Sequence, residues 1–169
     1  MMATEIERKF LVDADFLKQC VDLSQCEARR LTQAYLCRGS DQPDGNGNTV
    51  RIRISGDQAV LTIKGPTTGL SRAEFEYPVP MADALAMLSL CRGPAIDKTR
   101  YLVSVHGRLW EVDEFHGANQ GLWLAEIELE SEHAGFIPPD WLGREVSDDP
   151  RYHNSALALN PLANCMSAR

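Results

Sequence analysis

No stretch of this 169-residue chain is apolar for long enough to cross a bilayer. No basic segment followed by a hydrophobic one marks an export signal. Both absences point to a cytoplasmic protein. The cysteines Cys20, Cys26, Cys37, Cys91 and Cys165 are odd in number and form no CxxC pair. The histidines His106, His116, His133 and His153 stand at no zinc-like spacing from them. A zinc module and a disulfide framework are therefore not expected, and free thiols are. Positive charge is also in deficit. There are 17 Lys and Arg against 24 Asp and Glu, a net charge of −7, which argues against a nucleic-acid surface. Clustered basic residues still leave room for an anionic ligand. Internal repeats and low-complexity tracts are missing as well. What remains is an ordinary globular composition, expected to fold as one domain over 1–169.

The chain is organised around its first strand, Glu5-Ile6-Glu7-Arg8-Lys9-Phe10. Strand side chains alternate, so Glu5, Glu7 and Lys9 share one face and Ile6, Arg8 and Phe10 the other. Two carboxylates one repeat apart repel each other unless a cation sits between them. A hard divalent ion such as Mg²⁺ takes oxygen ligands of this kind.

The same layout recurs. A short helix is expected over Ala14 to Asp22, capped by Asp13. Strands follow at Glu27 to Arg38, Thr49 to Ser55, Ala59 to Lys64 and Ser71 to Val79, with a Gly-rich loop over Gly39 to Asn48. Met81 to Cys91 has helical spacing. Ile96 to His106, Leu109 to Phe115 and Leu122 to Glu130 read as further strands. Pro138-Pro139 is read as starting a short helical piece, and a last helix covers Tyr152 to Leu159. About eight strands joined by short turns are most simply closed into an antiparallel barrel, which removes exposed edges.

Two barrels fit this alternation. One is packed with the apolar faces and charged outside. The other is inverted, with charges lining a wet lumen and apolar faces packed outward against helices and a partner subunit. The distribution of sign favours the second. Arg51 with Arg53, Lys64, and Lys98 with Arg100 fall on basic strands; Glu5 with Glu7, Glu111 with Asp113, and Glu126 with Glu128 fall on acidic ones. A merely soluble surface more often mixes signs. Segregation predicts a cationic wall facing a metal-binding wall. A polyphosphate suits both: Arg and Lys hold phosphate oxygens, and carboxylates hold Mg²⁺ or Mn²⁺ that bridge to them.

At this point the motifs resemble the CYTH superfamily, the triphosphate tunnel metalloenzymes. The likeness rests on Glu5-x-Glu7-x-Lys9 followed in order by Gln33-Ala34-Tyr35-Leu36, Val50-Arg51-Ile52-Arg53, Thr62-Ile63-Lys64-Gly65, Arg72-Ala73-Glu74-Phe75-Glu76, Lys98-Thr99-Arg100-Tyr101, Trp110-Glu111-Val112-Asp113-Glu114-Phe115, Ala125-Glu126-Ile127-Glu128-Leu129 and Asp149-Pro150-Arg151-Tyr152-x-Asn154. The resemblance implies a mainly β, α+β fold: an eight-stranded antiparallel closed tunnel with a charged lumen, a few flanking helices and a C-terminal plug helix. It implies Glu5, Glu7, Asp113, Glu126 and Glu128 as metal ligands for two Mg²⁺ or Mn²⁺ ions, with Glu5, Glu7, Lys9, Glu126 and Glu128 carrying catalysis. Lys9, Arg51, Arg53, Lys64, Arg72, Lys98 and Arg100 would bind phosphate, with Glu74 and Glu76 also lining the tunnel. A homodimer is implied too.

The short form looks most like the tripolyphosphatase branch. A class IV adenylate cyclase or a nucleoside or thiamine triphosphatase is the alternative, and a non-catalytic polyphosphate-binding module is the third reading. A cyclase needs a pocket for adenine, but Trp110, Trp123 and Trp141 are scattered and better suited to packing. Three acidic strands argue against pure binding, which needs cations more than a full acid set.

Overall fold

A computed structural model describes residues 3–42 and 46–162. Cys165 and residues 43–45 of the expected glycine-rich loop lie outside the described residues. Nine strands form one sheet: β1 (Ala3–Val12), β2 (Glu27–Cys37), β3 (Thr49–Ser55), β4 (Gln58–Lys64), β5 (Ser71–Pro78), β6 (Ile96–Val105), β7 (Arg108–Phe115), β8 (Trp123–Glu128) and β9 (Leu142–Glu145). Their order is β5-β4-β3-β2-β6-β7-β8-β1-β9, and an extra β5–β1 pairing closes the first eight into an antiparallel barrel. Closure depends on β1 changing partner along its length. Glu5 lies opposite Arg72 of β5, and Glu7 opposite Glu128 of β8. β9 adds to the end of β1, pairing Phe10 with Glu145 and Val12 with Leu142 across a shift in register between the two.

Most strand boundaries agree with the sequence pattern to within a residue or two. The β6–β7 connection is a two-residue turn in which His106 and Gly107 both take positive φ, the geometry that follows strand twist most closely. Around Pro138-Pro139 the expected helical piece is replaced by turns leading into β9. Two adjacent prolines remove two backbone donors, so they cannot support a helix interior.

The helices are α1 (Ala14–Cys20), α2 (Met81–Leu88) and α3 (Asn154–Leu159). Asp13 caps α1, accepting from the Phe16 N–H, as expected. The main core lies outside the barrel. Phe10, Val103, Trp110, Val112, Trp123, Ala125, Ile127 and Trp141 pack with Leu17 of α1. A second cluster places Ala84 of α2 against Ala34, Ile52 and Ala59 on the outer face of β2, β3 and β4. All three tryptophans serve this packing.

The third cluster differs in kind. Tyr35, Ile96, Phe115 and Leu124 pack with Leu157 and Ala158 of α3, with Leu11 alongside. The strand residues of this set have the parity of the charged residues, so they face inward. One end of the bore is thus filled with apolar side chains and stoppered by α3, where Leu157 is fully buried. This is the plug expected of the last helix. Asn119, itself buried, ties α3 down by donating to the Leu157 carbonyl at 3.0 Å.

Candidate functional site

Because the outward faces hold the core, the opposite faces hold the charge. Contacts that skip a strand place these side chains together in the bore. Lys64 of β4 reaches over β5 to Glu5 of β1 at 2.7 Å. Arg100 of β6 reaches over β7 to Glu126 of β8 at 2.8 Å. Lys98, at 0% exposure, and Arg100, at 7%, are as buried as core leucines, which charged groups tolerate only when paired.

The ion pairs fall into two groups. In the first, Lys9 pairs with Glu126 at 2.8 Å and Glu7 at 3.7 Å. Arg100 holds Asp113 through two N–H groups, each at 2.7 Å, and also contacts Glu111 and Glu126. Lys98 contacts the same Asp113 carboxylate. In the second, Glu5 accepts from Lys64 and from Arg72 at 2.8 Å, while Glu74 lies 3.2 Å from Lys64. Thr62 bridges the flank: it donates to Glu76 at 2.9 Å and accepts from Arg51 at 3.2 Å. Every expected site residue is therefore on the inward parity. Glu128, the register partner of Glu7, is solvent-exposed.

The strand order keeps the two signs apart, as expected: basic β4, β3 and β6 lie together with only β2 among them, and acidic β7, β8 and β1 follow one another. The two walls meet where β6 abuts β7 and, across β5, where β4 approaches β1, and ion pairs of Arg100 and Lys64 bridge those seams. Lys9 stands within the acidic wall, against Glu126.

Charge neighbours set the titration. Burial alone would raise Glu5, but Lys64 and Arg72 overcome it and hold the carboxyl down at about 2. Glu7 goes the other way: burial and the repulsion of Glu126 push it up to about 7 against the pull of Lys9. Burial and Arg100 lower Lys98 to about 8 despite Asp113. Burial, with Arg51 and Arg100 nearby, lowers Arg53 to about 10.

The donor set can be tested against a divalent ion. Among the described residues, no three carboxylate or imidazole groups already converge on one point. The chemistry of the donors fits nonetheless. Glu7 is an under-compensated acid pressed against Glu126, with Glu5 and exposed Glu128 on the same strands, all hard oxygen donors. Both oxygens of Asp113 are engaged by Lys98 and Arg100, as those of Glu5 are by Lys64 and Arg72 and those of Glu126 by Lys9 and Arg100, so Glu7 and Glu128 are the least committed donors of the set.

Two bore residues were not singled out from sequence, Gln33 and Thr62, each fully buried. Their parity was the available signal, since both alternate with outward apolar residues on strands that carry arginine or lysine.

An inside-out β-barrel with an ion-paired polar bore defines the class, and comparison with known proteins gives the family. Residues 3–156 match the CYTH domain, and the chain belongs to that family. It is 45% identical over 164 residues to an inorganic triphosphatase of Acetivibrio thermocellus, an alignment spanning 96% of this chain and 98% of that protein. It is 39% identical over 160 residues to an inorganic triphosphatase of Nitrosomonas europaea, covering 93% and 98%. A crystal structure of an inorganic triphosphatase superposes with a TM-score of 0.64 at 35% identity, covering 95% of this chain and 98% of the other. A Bacillus halodurans protein proposed to be an adenylate cyclase shares the fold, with a TM-score of 0.59, 18% identity and coverage of 78% and 84%.

Proposed function

We propose that the protein is a divalent-metal-dependent triphosphatase that splits inorganic tripolyphosphate into diphosphate and phosphate inside the bore. One observation carries the choice of substrate: among the described residues the bore offers charge but no platform for a base. Trp110, Trp123 and Trp141 are buried in the outer core. The inward aromatics Tyr35 and Phe115 are locked in the apolar stopper. A nucleotide needs a stacking surface or an apolar slot; inorganic triphosphate needs cations and metal. The two curated relatives named as inorganic triphosphatases support the same reading.

In this reading Arg51, Arg53, Lys64, Arg72, Lys98 and Arg100 hold phosphate oxygens, with Arg as a two-pronged donor and Lys as a point charge. Glu5, Glu7, Glu126 and Glu128 hold the ions, Mg²⁺ or Mn²⁺, two in number. A bound divalent ion supplies Lewis-acid charge on the phosphates and a coordinated water of lowered pKa. Lys9 stays charged against Glu126 and Glu7, keeping both acids oriented. Asp113 acts on the cation side, orienting Lys98 and Arg100. Positioning and charge stabilisation are most of what phosphoryl transfer asks of a protein.

We also read the protein as cytoplasmic and homodimeric. Free cysteines at positions 20, 26, 37 and 91 suit a reducing compartment. Phe75 and Tyr77, exposed on the outer face of β5, suit a contact between copies. No helix among the described residues is long and apolar enough to cross a membrane.

The test is a phosphate-release screen with tripolyphosphate, ATP and thiamine triphosphate, with Mg²⁺ and Mn²⁺ in turn. The expected result is a preference for tripolyphosphate and no activity in chelator. Cyclic AMP formed from ATP would move the protein to the adenylate cyclase alternative.

A further inference from the structure

Arg53 differs from the other bore cations. Lys9, Arg51, Lys64, Arg72, Lys98 and Arg100 each have a carboxylate within ion-pair distance. Among the described residues, Arg53 has none. Its Nε donates instead to Oε1 of Gln33 at 3.4 Å, its register partner on the neighbouring strand. Gln33 is fully buried, and its Nε2 donates to the Tyr35 hydroxyl at 2.9 Å. The Tyr35 ring is held in turn by the apolar stopper and by the Arg38 guanidinium, 5.7 Å from its centroid. A chain therefore runs from the closed end of the barrel to one arginine: stopper, Tyr35, Gln33, Arg53.

We propose that Gln33 is a positioning residue for the reaction, aiming the Arg53 guanidinium at substrate phosphate through a neutral acceptor. A carboxylate at position 33 would aim Arg53 equally well but would neutralise it. An amide supplies direction and leaves the positive charge uncompensated. Gln33 takes only the Nε donor, and among the described residues the two terminal nitrogens of Arg53 have no hydrogen-bond partner, which leaves them to an anion. The bond is longer than the usual 2.9–3.0 Å, so it directs the group without holding it back from a ligand. The Gln33–Tyr35 bond fixes which end of the amide faces Arg53, since the NH₂ group is committed to the hydroxyl.

This inference rests on the triphosphatase reading, and the experiment separates the two. Steady-state hydrolysis of tripolyphosphate is measured for wild type, Gln33→Met, Gln33→Glu, Arg53→Ala and the Gln33→Met/Arg53→Ala double variant, each at low and high salt. Gln33→Met keeps the volume and removes the acceptor; it is expected to lower kcat/KM about tenfold. Gln33→Glu is expected to raise KM and to flatten the salt dependence of kcat/KM, because one unpaired cation has been neutralised. In the Arg53→Ala background, Gln33→Met is expected to change kcat/KM less than twofold, since its effect passes through Arg53. Losses that multiply in the double variant, or a Gln33→Glu enzyme with unaltered salt dependence, overturn the assignment. If Gln33→Met does not fold, Gln33→Glu against Arg53→Ala decides on salt dependence. A wild type that releases no phosphate from tripolyphosphate overturns the triphosphatase reading itself.

Discussion

Replacing Glu7 with glutamine tests the charge balance of the bore from both sides. In the folded protein Glu7 keeps its proton up to about pH 7, where an unpaired carboxyl loses it near 4.5. Between those values the folded state binds more protons than the unfolded one, so stability falls as pH rises. The loss runs at about 1.4 kcal/mol per pH unit and totals about 3 kcal/mol once Glu7 is ionised. Glutamine has nearly the same shape and never ionises. In chelator, Glu7→Gln should match wild type near pH 4.5 and exceed it by about 3 kcal/mol above pH 7. The assay is urea unfolding at pH 5 and pH 8. Other groups titrate alike in both proteins, so the difference between proteins isolates Glu7. Activity should move the opposite way: the variant should lose metal-dependent hydrolysis, and added Mg²⁺ should no longer raise its midpoint. A stability difference that stays constant with pH, or a variant still stabilised by Mg²⁺, would refute the reasoning.

The remaining predictions draw on other parts of the bore and its plug. Glu5 is held at about 2, so its contribution is present above pH 4.5 and lost as pH falls through 2; Glu5→Gln should flatten acid unfolding over that window by about 3 kcal/mol. Glu126→Gln should abolish hydrolysis and also destabilise by about 3 kcal/mol in chemical unfolding, because Lys9 and Arg100 lose a buried partner. Arg53→Ala should raise KM with little change in stability, since no ion pair is broken; an unchanged KM would remove Arg53 from the site. Leu157→Ala should cost about 2–5 kcal/mol in thermal or urea unfolding by leaving a cavity in the stopper. Serine at Cys20, Cys26 and Cys91 should leave phosphate release intact.

Most strands were legible because they alternate, with charge on one side and apolar residues on the other; β2, whose inward face is Leu31, Gln33 and Tyr35, is the exception. That regularity also gave the parity of every site residue. Three features were not legible, each for a physical reason. Pro138-Pro139 looked like a helix start, but the downstream chain pairs with β1 through β9, a long-range contact that no local pattern reports. The seams between the walls were not legible because sequence gives the sign of each strand but not its neighbour; only the fold sets β6 beside β7, where Arg100 holds Asp113. The role of Gln33 depends on Arg53 having no acid beside it among the described residues, a fact that exists only in three dimensions.

The stopper at one end turns the barrel from a corridor into a cul-de-sac. Among the described residues, Leu157 and the ring of Tyr35, Ile96, Phe115 and Leu124 fill that end with apolar side chains. On the function proposed above, a triphosphate and its fragments would then share one way in and out. A long polyphosphate would present its tip rather than thread through.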